Sequence, residues 1–180
     1  YRKFRAHGLI VKDGAKMSKS LGNVARYQDY VEVFGVDALR YFVMREMSLL
    51  GQDANFSDDA ILTRFNADLA NDLGNLAQRS LSMIAKNCGG VVPEPGELTE
   101  ADKTILAAAD GLFARATQAI DDFAIHRALE IVWAVIADAN RYFAGEEPWA
   151  HKKTNPKRME TILYVTAEVL RQIAILVQPI

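Results

Sequence analysis

Residues 57–90 read SDDAILTRFNADLANDLGNLAQRSLSMIAKNCGG, and the spacing within them decides the fold. Leu62, Phe65, Leu69, Leu73 and Leu76, then Met83 and Ile84, recur at steps of three and four, the period that lines one face of an α-helix. Ser57 stands where an N-cap belongs, Asp58 and Asp59 follow where carboxylates meet the positive end of the helix dipole, and Gly89-Gly90 ends the run. The spacing predicts one long amphipathic helix. Downstream, Pro93 and Pro95 mark a connector, and Thr99 with Glu100 and Asp102 opens a second helix to about Asp121. A third runs from about Phe123 to Phe143 and stops at Gly145, with Pro148 beyond it. Asn155-Pro156 caps a fourth, which carries Met159, Ile162, Leu163, Val169, Leu170, Ile173 and Val177 as far as Pro179. Four helices with short links predict an antiparallel bundle.

Upstream the period is missing. The reading there is a short strand from His7 to Val11, a Lys12-Asp13-Gly14 turn and a loop through Asn23, because Gly, Ser and Asn cluster. A short helix near Tyr27 to Phe34 is closed by Gly35, Asp37 is the expected N-cap for Ala38 to Met44, and Gly51 to Asn55 reads as another loop. The whole is mainly α, a short β and loop connector followed by the bundle.

Half of the 180 residues are hydrophobic and 24% are charged, which suits about one domain and excludes disordered and collagen-like chains. No apolar run is long enough for a membrane span, so the expectation is a soluble, cytoplasmic protein. One cysteine, Cys88, is too little for an internal disulfide or a structural zinc site. The net charge of -2 hides an asymmetry: residues 1–27 carry Arg2, Lys3, Arg5, Lys12, Lys16, Lys19 and Arg26 against Asp13 alone, while the remainder is acidic. The head therefore seeks a polyanion, and a second basic run lies at Lys152, Lys153, Lys157 and Arg158. An opening without a start signal or a helix cap suggests a piece of a larger protein.

The sharpest chemical signal is Lys16-Met17-Ser18-Lys19-Ser20, with Gly14 before it and Leu21-Gly22-Asn23 after it. Two ammonium groups three residues apart on a loop with small neighbours can close over a phosphate chain and neutralise charge that grows in phosphoryl or adenylyl transfer. For Lys-x-x-Lys alone a solvated basic hairpin is the commoner case. The full string with its flanks is far more specific. It resembles the signature of class I aminoacyl-tRNA synthetases, whose loop contacts the triphosphate of Mg-bound ATP as a substrate. The resemblance implies ATP contacts at Lys16, Met17, Ser18, Lys19 and Ser20, with Lys16 and Lys19 as the catalytic pair and Lys19 the principal transition-state contact.

Further on, Gly35-Val36-Asp37-Ala38-Leu39-Arg40 resembles the segment shared by the Met, Val, Ile, Leu and Cys members. Tyr41 to Glu46, Phe56-Ser57 and Arg64 to Arg79 are similar to bacterial methionyl-tRNA synthetases. The likeness covers nearly the whole chain. It implies a catalytic-domain end with its connector over 1–56, a helical anticodon-binding domain over 57–180, and tRNA(Met), methionine and ATP as partners of the intact enzyme, methionine and ATP being reached through a nucleotide-binding half that these residues lack. By themselves they would not make aminoacyl-tRNA. Where relatives usually carry an acidic residue and Pro after Gly-Asn-Val, this chain has Ala25-Arg26-Tyr27. The competing readings are another class I synthetase of the Leu, Val, Ile or Cys branch and a non-catalytic tRNA-binding helical module.

On the long helix, Asn71, Asn75 and Arg79 lie four residues apart, on the face opposite Leu69 and Leu73. Asn is a weak helix former, so a stripe of it serves as hydrogen bonds to neighbouring helices or, equally, as contacts to a base edge. The resemblance implies anticodon contact for Asn75 and Arg79 and leaves Asn71 structural. Trp149, in Glu147-Pro148-Trp149 before Lys152-Lys153, either covers the end of the bundle, the commoner fate of a lone Trp, or stacks on an unpaired base. The resemblance implies an anticodon reader. Trp133 reads as core, His7 reads as structural at the end of the strand, and neither His126 nor His151 has a metal partner at useful spacing.

Overall fold

The computed structural model describes residues 8–46 and 51–178. Expectations that fall on Arg2, Lys3, Arg5, His7 and Pro179 lie outside the described residues. One compact unit runs as far as Leu69 and takes in Arg115–Glu130; a second comprises Ala70–Ala114 and the residues from Ile131 onward.

In the first unit, β1 (Ile10–Lys12) pairs antiparallel with β2 (Ala15–Lys16) and parallel with β3 (Ala54–Phe56). Asp13 and Gly14 join β1 to β2 with φ of 51° and 76°, the two left-handed residues that a tight hairpin of matching twist requires. The segment read as a loop over Gly51 to Asn55 is corrected at its end, since Ala54 and Asn55 are strand. Three residues are too few to display a period. Their conformation comes from pairing: the Ala54 N–H donates to the Leu9 carbonyl at 2.9 Å, and the Leu9 N–H to the Asp53 carboxylate at 2.7 Å. A Cβ on Gly8 would lie 2.3 Å from the Gln52 carbonyl oxygen, so the approach of these two segments needs glycine.

Helix α1 spans Tyr27–Phe34 and ends at Gly35 with φ of 81°. Helix α2 spans Val36–Glu46, so Asp37 sits in its first turn rather than capping it. Leu39 and Phe42 of α2 pack with Phe56 and Ile61 as a small core, closed by Ile10, Tyr30 and Phe34. Edge-on rings at Tyr30–Phe56 (4.8 Å) and Phe42–Phe56 (5.6 Å) hold β3 against both helices.

Residues 58–87 are helical throughout, but not as one α-helix. After α3 (Asp58–Arg64), capped by the Ser57 hydroxyl accepting from the Ala60 N–H at 3.2 Å, Phe65–Gly74 winds as a π-helix, and α4 (Asn75–Asn87) resumes the tighter pitch. The wider winding advances each residue by less than an α-turn would, so the apolar stripe drifts. Leu62, expected inside, is 44% exposed, and Ile61 takes the core place. Leu69 and Leu73 are half-buried, whereas Asp68 is buried and accepts from the Tyr41 hydroxyl at 2.6 Å. Burial and that hydrogen bond push the Tyr41 hydroxyl far above its ordinary pKa.

In the second unit the central element is α9 (Pro156–Val177), opened by the Asn155 side chain, which accepts from the Arg158 N–H at 3.2 Å. Met159, Ile162, Leu163, Val165, Val169 and Ile173 are all buried on it, and it packs against α4, α5 (Glu100–Asp110) and α8 (Pro148–Thr154). A helix buried on more than one side belongs at the middle of a bundle. Thr161 and Thr166 are buried with it, their hydroxyls donating to the carbonyls four residues earlier at 2.9 Å. The expected second helix is two, α5 and α6 (Leu112–Asp121), interrupted at Gly111. The expected third helix starts later, as α7 (Ile125–Gly145). Phe123 lies at φ of 61° as the last residue of a turn in which its N–H reaches Ile120 and that of Ala124 reaches Ala119, a helix stop usually made with glycine and therefore not signalled by this sequence. The stretch after α7, to which the sequence reading gave no element, is the short helix α8 with Pro148 at its first position. The result is mostly helical, with a three-stranded sheet and then a helical bundle. Among the described residues, no helix is long and apolar enough to cross a membrane, and no group of three or more His, Cys, Asp or Glu could hold a metal ion.

One polar cluster ties the bundle. Thr99 and Asp102 form the capping box of α5, and the Asp102 carboxylate, wholly buried, also accepts from Arg158 of α9 at 2.5 and 2.9 Å and from the Tyr142 hydroxyl of α7 at 2.5 Å. Arg158 reaches Glu146 at 2.6 Å. Burial raises the Asp102 pKa, but the bonds from Arg158, Tyr142 and the Thr99 N–H, with the Arg158 charge, outweigh it and hold the carboxyl below its ordinary value. A depressed folded pKa contributes stability that is present above the unfolded value of about 4 and is lost as pH falls through the folded one. Asp102→Asn is therefore expected to cost about 1–3 kcal/mol at neutral pH, because it removes the charge that Arg158 and Tyr142 bond and leaves Arg158 paired with Glu146 alone. It should also flatten the dependence of stability on pH below about pH 4. Urea unfolding at a series of pH values measures both.

Candidate functional site

The lysine string occupies β2, a turn and a single 3₁₀ turn over Lys19–Leu21, which Gly22 closes at φ of 66°. Lys16 and Lys19 are exposed, and neither ammonium has a partner among the described residues; Met17 and Ser18 between them are half-buried. Asn23 braces the turn. Its side-chain oxygen accepts from the Ser18 N–H at 2.7 Å and its amide donates to the Lys16 carbonyl at 3.1 Å. The Ala25 N–H reaches the Met17 sulfur at 3.4 Å, and the Ser18 and Ser20 hydroxyls share a 2.7 Å bond. At the entry, the Gly14 N–H donates to the Asn55 side chain at 2.9 Å.

The strand behind the loop is fixed by a second small network. Lys12 donates to the Tyr30 hydroxyl at 2.9 Å and Tyr30 to Asp58 at 2.6 Å, tying β1, α1 and α3 together. The Tyr30 bond raises the Lys12 pKa and lowers that of Asp58, so both stay charged. These residues line a cavity of about 420 Å³ with Ala25, Arg26 and Asp29. Arg26 stands at the N-cap of α1 without a capping side chain, so the Ala25-Arg26-Tyr27 departure leaves that helix end to its first-turn Asp29.

On the bundle, Arg79 of α4 lies between two aromatic faces, 5.1 Å from the Phe143 ring centroid and 5.4 Å from that of Trp149. The two rings meet edge to face at 6.1 Å. Phe143 is buried and ends the apolar line of α7, whereas Trp149 is 45% exposed. Asn75, one α-helical turn before Arg79 on the same helix, is exposed, as are Asn71, Lys152 and Lys153. The chain thus brings Arg79 and Trp149 together, with Asn75 a turn away and the two lysines on the helix that carries Trp149. Glu147, at φ of 42°, makes the bend before Pro148, and Arg158 holds the neighbouring Glu146. Trp133 is buried, as its spacing predicts. Burial pushes the Cys88 thiol pKa up, which disfavours the reactive thiolate. The sequence reading missed Asn23 and Asn55 as braces, Phe143 as the floor under Arg79, and the Asp102–Arg158 pair. Only the Thr99-to-Asp102 capping spacing gave a signal for any of them.

Comparison with known proteins first sets the class: residues 1–81 match the family described as tRNA synthetases class I (M). Residues 92–180 match the anticodon binding domain of methionyl tRNA ligase. The methionine–tRNA ligase of Brucella suis is 62% identical over 97% of this chain, and that of Mycobacterium leprae 50% identical over 99%. The methionyl-tRNA synthetase of Mycobacterium tuberculosis in complex with methionyl-adenylate superposes with a TM-score of 0.91 at 50% identity, over 97% of this chain and 35% of that one. The chain belongs to the methionyl-tRNA synthetase family, and it spans about a third of the length of the relatives it matches, 34% of the Brucella enzyme.

Arg79→Ala is expected to lower stability by about 1 kcal/mol through loss of the cation between the two rings. It should also free Trp149 to move. In a Trp133→Phe background, the emission of Trp149 should shift to longer wavelength and become easier to quench with acrylamide.

Proposed function

We propose that this chain is the part of a methionine–tRNA ligase that closes over ATP during methionyl-adenylate formation and recognises the anticodon of tRNA(Met), with 1–56 ending the catalytic domain and 57–180 forming the anticodon-binding domain. The observation that carries the reading is the pair of exposed ammonium groups, Lys16 and Lys19, without a partner among the described residues, on a braced loop in a chain of this family. In the whole enzyme, a methionine carboxylate oxygen bonds to the α-phosphorus of Mg-bound ATP, the bond from that phosphorus to the bridging oxygen breaks, and pyrophosphate leaves with the electron pair. Charge grows on the departing phosphates, and Lys16 and Lys19 stand ready to neutralise it, Lys19 chiefly in the transition state. Met17, Ser18 and Ser20 complete the lining of the ATP site. A tRNA 3'-terminal ribose hydroxyl then attacks the methionyl carbonyl and AMP leaves. The enzyme would work in the cytoplasm, where its tRNA is.

On the bundle, Trp149 supplies a stacking face steadied by Arg79, Asn75 offers donor and acceptor to a base edge, and Lys152 and Lys153 hold phosphates without reading sequence. The support is the meeting of Arg79 and Trp149 at 5.4 Å beside exposed Asn75.

In the whole enzyme, Lys19→Ala should slow methionine-dependent ATP–pyrophosphate exchange by about 100-fold or more while leaving the ATP dissociation constant nearly unchanged. Unchanged exchange would favour the non-catalytic tRNA-binding reading. Trp149→Ala and Asn75→Ala should each weaken binding of an RNA hairpin with a CAU anticodon by about 10-fold or more and reduce discrimination against altered loops, with helical content intact. Lys152→Ala should weaken all hairpins alike and reduce the salt dependence of binding.

A further inference from the structure

We infer that Asn23 is the positioning residue of the lysine loop: its amide bridge between the Lys16 carbonyl and the Ser18 N–H makes the loop a preformed unit that sets the angle between Lys16 and Lys19. This rests on the reading of those two lysines as phosphate contacts. The need for a brace follows from the sheet. Strand β2 is two residues long, and its last pairing with β1 is at Lys16. Beyond it the backbone leaves the ladder, while Lys19–Leu21 forms only one 3₁₀ turn, with Leu21 and Gly22 returning to Ser18 and Lys19 at 3.2 and 3.3 Å. The Lys16 carbonyl and the Ser18 N–H therefore fall between two elements.

Asn23 answers both with one planar group, accepting at 2.7 Å and donating at 3.1 Å. A neutral amide can donate and accept at once; a carboxylate can only accept, and an aliphatic side chain does neither. The remaining ties point the same way. Met17, between the lysines, is drawn inward by the Ala25 N–H, and Ser18 bonds Ser20 across the turn. Every one of these bonds lies within residues 16–25, so the loop is held to itself. With residues 16–25 tied to one another, the backbone points from which Lys16 and Lys19 project are set before a triphosphate arrives. Asn23 touches neither nucleotide nor amino acid in this account. It acts through the lysines.

The test uses the whole enzyme carrying this sequence, with single-turnover adenylate formation and equilibrium ATP binding measured for Asn23→Ala, Asn23→Asp and Asn23→Gln, each alone and in a Lys19→Ala background. Asn23→Ala is expected to slow adenylate formation roughly 10- to 100-fold, the loss that follows a misplacement of about 1 Å, with ATP affinity within about threefold of wild type. Asn23→Asp should be at least as slow, because it loses the donor and sets a carboxylate beside the lysines. Asn23→Gln should recover part of the rate. In the Lys19→Ala background the Asn23→Ala loss should shrink to about threefold or less, since the group it positions is gone. Thermal midpoints equal to wild type keep folding out of the comparison. The inference is overturned if Asn23→Ala leaves the rate unchanged, or if its loss is the same with and without Lys19. If Lys19→Ala alone leaves adenylate formation at the wild-type rate, the reading of the loop as a phosphate clamp falls, and this inference falls with it.

Discussion

A single buried carboxylate, Asp102, fixes the arrangement on which the face of the bundle that carries Arg79 and Trp149 depends. It accepts hydrogen bonds from the cap residue of its own helix, from Tyr142 on α7 and twice from Arg158 on α9. The contacts to Tyr142 and Arg158 each restrict the register of one helix against another, because a shift of one residue would turn the partner about 100° away. An ion pair of this kind is not in itself the most stabilising filling for a core, since apolar side chains of the same volume often do as well. Its contribution is to select one packing. Arg158 then extends that selection to Glu146 in the bend between α7 and α8, three residues before Trp149. The half-exposed indole is thus placed by a chain of charged groups that starts at the buried Asp102 and runs through the half-buried Arg158 and Glu146.

The lysine loop is built on the opposite principle. Its lysines stand in solvent, and the hydrogen bonds that shape it run within a short stretch of chain. On the proposed reading of this loop, an ammonium group that meets a triphosphate is best left without a competing carboxylate, and a loop that closes is best tied to itself. What anchors this region instead is the strand beneath it, through Lys12, Tyr30 and Asp58 and through the Asn55 side chain at Gly14. Rigidity is placed under the loop and inside it, and the charges are left open.

The π-helical stretch Phe65–Gly74 explains how one run of sequence serves two faces. Asp68 and Tyr41 share a buried hydrogen bond, Asp72 gives its carbonyl to Asn140 at 3.1 Å, and Leu69 and Leu73 are only half-buried. An α-helix with the same leucines fully inward would have turned these groups elsewhere. From Asn75 the normal period resumes, with Leu76, Ser80 and Ile84 on the inner line and Asn75 exposed. That inner line, rather than the earlier leucines, sets the direction in which Arg79 faces.

Much of the architecture was legible in the chain itself, because the signals are local. The Thr99–Asp102 capping box, the Ser57 and Asn155 caps, the Asp13-Gly14 turn and α1 with its Gly35 stop each depend on residues within a few positions of one another, and the structure contains them. The same is true of the lysine string, whose chemistry lies in its spacing, and of the likeness to the synthetases. Tertiary structure decided what local chemistry could not. Strand β3 exists because β1 offers it a partner; α7 begins after Phe123 because that residue accepts a left-handed backbone without the usual glycine; the helix over 58–87 loosens where a buried Asp68 meets Tyr41. Arg79 and Trp149 are 70 positions apart in sequence, and nothing in either segment specifies that a guanidinium will lie between Phe143 and the indole. Periodicity tells which face of a helix is apolar. Which polar residue on the other face meets which ring is settled only when buried charges and close packing choose one register among several of nearly equal hydrophobic content.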